Sequence, residues 1–146
     1  LFDRTRPNDP NESRADTYAI AYRHQIAPGT ENVGTVRAIS AATGKTEWLY
    51  EQRAATMSLV ATGGGLLFGG DVNGRFRAFD QETGDVLWEI NLGSPVSGFP
   101  ISFAVDGRQY VAVGTGSGGT ASHFMGLTPE LRPSSGNNLF VFALPE

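Results

Sequence analysis

The residues of this chain best suited to contact a ligand are Gly114, Gly116, Gly118 and Gly119, closely spaced and followed by Thr120. Glycine backbone lets a flat or anionic group approach closely, and a neighbouring hydroxyl supplies a hydrogen bond. A nucleotide phosphate cradle would also need a βαβ unit with a helix after the glycines, and none is legible here. His24 and His123 have no partner at a metal-ligand spacing and read as surface or locally bonded side chains. Cysteine is absent, which removes thiolate and disulfide chemistry. No Gly-x-Ser-x-Gly elbow exists to expose a nucleophilic serine. Asp80 with Arg77, and Asp85 with Glu82, read as turn and surface charges. The chain therefore offers a binding loop, with no catalytic and no metal-ligating residue assigned.

The elements that must position this loop are strands. Residues 33–39 alternate, a turn follows, and residues 46–50 run out again. Residues 58–62 and 66–70 flank Gly63, Gly64 and Gly65 as a hairpin, and residues 75–80 make the next strand after Asn73 and Gly74. Asp106 and Gly107 sit between the apolar runs 100–105 and 108–113, a strong two-residue hairpin signal. Residues 114–138 read as one loop of about 25 residues, a length that in a compact domain is usually functional. The segment 139–144 is a closing strand. Residues 1–30 are a polar lead-in with a first strand within 18–26, and residues 31–146 carry the repeating unit.

That unit is a repeat. Thr43-Gly44 precedes Trp48 as Thr83-Gly84 precedes Trp88, and these are the only two tryptophans, forty residues apart. A strand-rich period of about 40 residues is what β-propeller blades show. We expect an all-β fold of four-stranded antiparallel blades, about two to three of them, hence a partial propeller. A blade cannot cover both its faces alone and packs on its neighbours. Each Trp is expected to be buried against the adjoining blade, its indole N–H on a backbone carbonyl. A piece of this size should leave apolar faces and sheet edges uncovered.

Composition narrows the partners. The net charge of −4, from 11 basic and 15 acidic residues among 146, makes no electrostatic case for nucleic acid. No apolar run reaches the roughly 20 residues of a membrane-spanning helix.

Ala78, Asp80, Thr83, Gly84 and Trp88 match the "tryptophan docking" repeat Ala-x-Asp-x-x-Thr-Gly-x-x-x-Trp, with Ser40 replacing Asp in the first copy. The chain thereby resembles the pyrroloquinoline quinone (PQQ) dehydrogenases, eight-bladed quinoproteins. More specific are residues 93–103 and Gly107-Arg108-Gln109-Tyr110-Val111-Ala112, similar to a stretch that precedes a glycine-rich loop in quinoprotein alcohol dehydrogenases. The resemblance covers about residues 33–144 and implies the C-terminal quarter of a longer subunit. It implies a periplasmic alcohol or sugar dehydrogenase that uses PQQ with Ca²⁺ or a lanthanide and passes electrons to a cytochrome c or a quinone. The metal ligands and catalytic Asp would lie outside this chain, and the remainder of the propeller, or a sister chain, would be its partner. By register, two Trp positions near the cofactor fall on Thr56 and Thr120, so Thr56, Gly118, Gly119 and Thr120 are the implied cofactor-binding residues. A propeller of the same repeat without cofactor, offering its faces to other proteins, is the alternative.

Overall fold

The computed structural model describes residues 2–3, 21–22 and 24–144. Most of the polar lead-in lies outside the described residues. Of the strand expected within 18–26, Ala21–Tyr22 (β2) is described, and it pairs antiparallel with Phe2–Asp3 (β1).

The repeat folds as antiparallel sheets in chain order. Gly34–Ile39 (β3) pairs with Thr46–Gln52 (β4). A four-stranded sheet follows: Thr56–Ala61 (β5), Leu66–Asp71 (β6), Arg75–Asp80 (β7) and Val86–Asn91 (β8). Ile101–Val105 (β9), Arg108–Gly114 (β10) and Leu139–Ala143 (β11) form a three-stranded sheet. The expected all-β class of blade-like sheets holds, and the turn chemistry explains why the chain breaks where it does. Asp106 and Gly107 adopt φ of 51° and 81°, the left-handed pair that a two-residue hairpin requires.

The two repeats coincide down to an irregularity. Ala38 faces Trp48 and Ala78 faces Trp88, and in each copy the register slips immediately afterwards. The turns match as well. Gly44 N–H donates to Ser40 O at 2.8 Å and Gly84 N–H to Asp80 O at 3.0 Å. Thr83 Oγ1 accepts from Asp85 N–H at 3.2 Å, as Thr43 Oγ1 does from Lys45 N–H at 3.3 Å.

The tryptophans, expected to be equivalent, are not. Trp48 is half-buried, donates from its indole to Gln81 O at 2.9 Å, and lies on the Gly84 turn of the next sheet. Trp88 is 39% exposed and meets the rings of Phe76 and Phe142 edge-on. The physical reason is neighbourhood. Trp48 has the turn between β7 and β8 to lie on, whereas no described residue supplies the corresponding turn beyond β11. Leu139 and Val141 on that strand are exposed, as expected of an uncovered blade.

Two cores hold the sheets together. Phe68, Phe76, Ala78, Val96, Val111 and Val113 pack between the four-stranded and three-stranded sheets, flanked by Phe140 and Phe142. Ala54, Ala55, Val72 and Ala121 form a second core with Met57, Phe124 and Met125. The second core overturns the reading of residues 114–138 as loop throughout, because Thr120–Met125 is a short helix (α1). Gly119 supplies no side-chain cap. So short a helix is marginal on propensity, and it is the fully buried Ala121 with Phe124 and Met125 that anchors it.

Candidate functional site

A cavity of about 390 Å³ opens where three segments meet. Thr56, Met57 and Ser58 come from the start of β5, Ser97 and Phe99 from the β8–β9 connection, and Gly118, Thr120, Ala121 and Phe124 from the glycine-rich loop and α1. Thr56, Gly118 and Thr120, three of the four residues expected at a cofactor, thus line one cavity. Gly119 lies between two of them, and a Cβ built at Gly118 or Gly119 would meet no atom within 4 Å. The wall is uncharged: hydroxyls beside the apolar surfaces of Met57, Phe99 and Phe124.

Local bonds bring these segments together. Ser58 Oγ donates to Gly98 O at 2.6 Å. Gly98 N–H donates to Gly114 O at 3.0 Å, and Gly116 N–H to Pro95 O at 2.8 Å. A Cβ at Gly98 would stand 2.8 Å from Gly114 N, so only glycine permits this crossing of backbones. From the other side Arg53 donates to Glu31 O, to Leu127 O at 3.4 Å and to Glu130 Oε1 at 2.6 Å. It fastens the segment after α1 to the β4–β5 connection.

The Glu130 carboxyl is held below the usual carboxylate range, chiefly by its own backbone N–H; desolvation opposes this, and the hydrogen bond and charge of Arg53 add to the lowering. A carboxyl depressed in the folded state stabilises it above the unfolded Glu value, and that contribution is lost as pH falls through the folded value. Acidification below about pH 4 should therefore speed amide hydrogen exchange at Leu127 and Thr128 beyond the intrinsic pH effect. A Glu130→Gln variant should lack that extra step. The effect is small, since the pair is exposed.

Behind Thr56 lies a polar network that the charge reading of the sequence missed. Asp71 and Arg77 are 1% and 7% exposed. Arg77 Nη1 donates to Asp71 Oδ2 and to Gln52 Oε1, both at 2.8 Å, and its Nε donates to Glu89 Oε2 at 2.5 Å. Asp71 Oδ1 accepts from the N–H groups of Asn73 and Arg75 at 2.8 and 3.0 Å. Burial lowers the Arg77 pKa, and the Asp71 hydrogen bond with the electrostatic attraction of Asp71, Tyr50 and Glu89 outweighs it, leaving the guanidinium above its ordinary value. Gln52 completes the chain by donating from Nε2 to Thr56 Oγ1 at 3.1 Å. Arg77 is thus a buried cation paired with Asp71 and Glu89, and not a surface charge beside Asp80. Its signal in the sequence was slight: a basic residue alternating with Phe76 and Ala78 on a strand otherwise rich in buried residues.

The rings of His24 and His123 lie 5.8 Å apart, and His24 also meets Phe124. Among the described residues, no group of three or more His, Cys, Asp or Glu could hold a metal ion. No helix among them is long and apolar enough to cross a membrane.

Stacked antiparallel sheets with a repeated Trp turn and a cavity beside the glycine-rich loop define this as a partial β-propeller with a ligand-sized pocket. Residues 52–111 match the family "PQQ: Glucose/ethanol/alcohol dehydrogenase, beta-propeller domain". A quinoprotein ethanol dehydrogenase of Pseudomonas putida is 36% identical over 118 residues, covering 79% of this chain and 19% of that protein. Subunit 1 of a methanol dehydrogenase [cytochrome c] of Paracoccus denitrificans is 40% identical over 113 residues, covering 73% of this chain and 18% of the relative. Among solved structures, a europium-containing methanol dehydrogenase superposes with a TM-score of 0.70 at 33% identity, covering 80% of this chain and 24% of that one. By sequence and fold together, the chain belongs to the propeller of the PQQ-dependent alcohol dehydrogenases. It spans about a fifth of the length of the curated relatives it matches.

Proposed function

We propose that this chain is the part of a periplasmic PQQ-dependent dehydrogenase that closes one side of the quinone site, in an enzyme oxidising an alcohol or sugar. The observation that carries the reading is the single cavity shared by Thr56 and the Gly118–Thr120 segment, far apart in sequence. Its lining fits a planar quinone, with hydroxyls for carbonyl oxygens and apolar side chains for the ring faces. When bound, PQQ supplies the two-electron redox chemistry, and the protein supplies position and electrostatics. In this reading Thr56 and Thr120 donate hydrogen bonds, Gly118 and Gly119 leave room for the ring, and Met57, Phe99 and Phe124 exclude water. The ligands of a Ca²⁺ or lanthanide ion come from elsewhere in the propeller. The acceptor is a cytochrome c or a quinone. Cytochrome c is supported by the name of the methanol dehydrogenase relative, and a lanthanide by the europium-containing neighbour.

The test uses protein expressed from its whole reading frame, freed of cofactor and titrated with PQQ in the presence of Ca²⁺ or a lanthanide. Saturable quinone binding and dye reduction with primary alcohols or sugars are expected with at least one metal. No binding with either would leave a cofactor-free propeller that serves as a protein-binding scaffold.

A further inference from the structure

The direction of the hydrogen bond at Thr56 is set from behind by a buried charge. Arginine has only donors, so the Gln52 carbonyl must face Arg77, with Nη1 at 2.8 Å from Oε1. The Gln52 amide nitrogen then faces Thr56 and donates to its hydroxyl oxygen. A hydroxyl carries one proton and two lone pairs. With a donor on the Gln52 side, the Thr56 proton is turned away from that side, and among the described residues no hydrogen bond uses it. Thr56 lines the cavity. Arg77 is itself held by Asp71 and Glu89, so rotating the Gln52 amide would set N–H against N–H at a buried cation.

We infer that Gln52 is a positioning residue: the series Asp71, Arg77, Gln52, Thr56 makes Thr56 a fixed hydrogen-bond donor toward an electron-rich oxygen of the ligand. This inference rests on the quinone reading of the cavity, and it names a polarity that the cavity's shape alone does not. A donor fixed in advance favours a quinone carbonyl or carboxylate oxygen over a ligand N–H, because no reorganisation is needed on binding.

The Gln52→Glu variant separates this role from a structural one. Glutamate has the same shape and keeps, or strengthens, the contact with Arg77. It presents an acceptor to Thr56, whose proton then turns back from the cavity. Expected in the protein expressed from its whole reading frame is PQQ affinity about tenfold weaker or more, as for loss of one hydrogen bond to a charged group, with thermal stability unchanged or raised. Thr56→Val should weaken PQQ binding similarly and Thr56→Ser should restore it. Adding Thr56→Val to Gln52→Glu should cost little further, the coupling expected of two residues acting through one proton. Affinity is read by equilibrium titration of quinone fluorescence or absorbance, without turnover. Wild type that binds PQQ alongside a Gln52→Glu variant of equal affinity overturns the inference and leaves the quinone reading standing. Affinity and melting temperature falling in parallel also overturns it, since Gln52 would then only join the sheets. Wild type that binds no PQQ overturns both.

Discussion

Replacing Arg77 with methionine is expected to destabilise the protein by about 3–5 kcal/mol, the cost of leaving a buried charge without its partner. Asp71 is 1% exposed, and without the guanidinium its carboxylate keeps only the two turn N–H groups of Asn73 and Arg75. The Arg77 guanidinium also reaches β4, lying over the Tyr50 ring at 5.8 Å and donating to Gln52 Oε1. Its removal therefore loosens the contact between two sheets as well as the ion pairs with Asp71 and Glu89. Adding Asp71→Asn to Arg77→Met should recover part of the loss, because the amide oxygen can still accept from Asn73 and Arg75 and no charge remains buried. Urea unfolding of the two variants in parallel provides the measurement. A single variant costing under about 1 kcal/mol, in the range of exposed pairs, would show that the network is hydrated.

Gly84→Ala is expected to cost about 3 kcal/mol and Gly44→Ala only about 1, although the two glycines hold the same place in the repeat. Both have positive φ, 79° and 71°, so each alanine meets the left-handed penalty of about 1–2 kcal/mol. The surroundings separate them. A Cβ on Gly84 would stand 2.6 Å from Trp48 ring carbons, whereas one on Gly44 meets nothing within 4 Å. The Gly84 variant must displace the indole, giving up ring packing and the bond to Gln81 O. In a Trp88→Phe background, Gly84→Ala should shift Trp48 emission to the red while Gly44→Ala leaves it unchanged. Equal costs for the two glycines would sink the account of Trp48 as the contact between neighbouring sheets.

The contrast between these glycines shows where the sequence was readable. Thr43-Gly44 and Thr83-Gly84 announce identical turns because a turn is decided by the φ its own residues tolerate. Whether a ring lies on the turn depends on the next sheet. The same limit explains Arg77, whose strand was predicted correctly while its burial was not. Alternation along β7 gives its face, and only Gln52, Asp71 and Glu89 arriving from three other strands make that face a closed polar site. For the candidate site, the quinoprotein resemblance pointed to Thr56, Gly118, Gly119 and Thr120. Nothing in their composition pointed to Gln52, because an exposed Gln at a strand end and a half-buried one held by Arg77 look alike in a string of letters.

What the sequence determined by itself was local and periodic: the strands from their alternation, the hairpins from Gly63–Gly65 and from Asp106 with Gly107, and the forty-residue repeat with its paired turns. Each rests on preferences within a few residues of the chain, and these hold wherever the segment lies. The tertiary structure decided what depends on distance across the fold. It placed Thr56 and Thr120 in one cavity, made a helix of Thr120–Met125 by burying Ala121, covered Trp48 and not Trp88, and turned the Thr56 hydroxyl by way of a buried Arg77. Those outcomes come from desolvation and from contacts between segments far apart in the chain, and such contacts exist only once the sheets have packed.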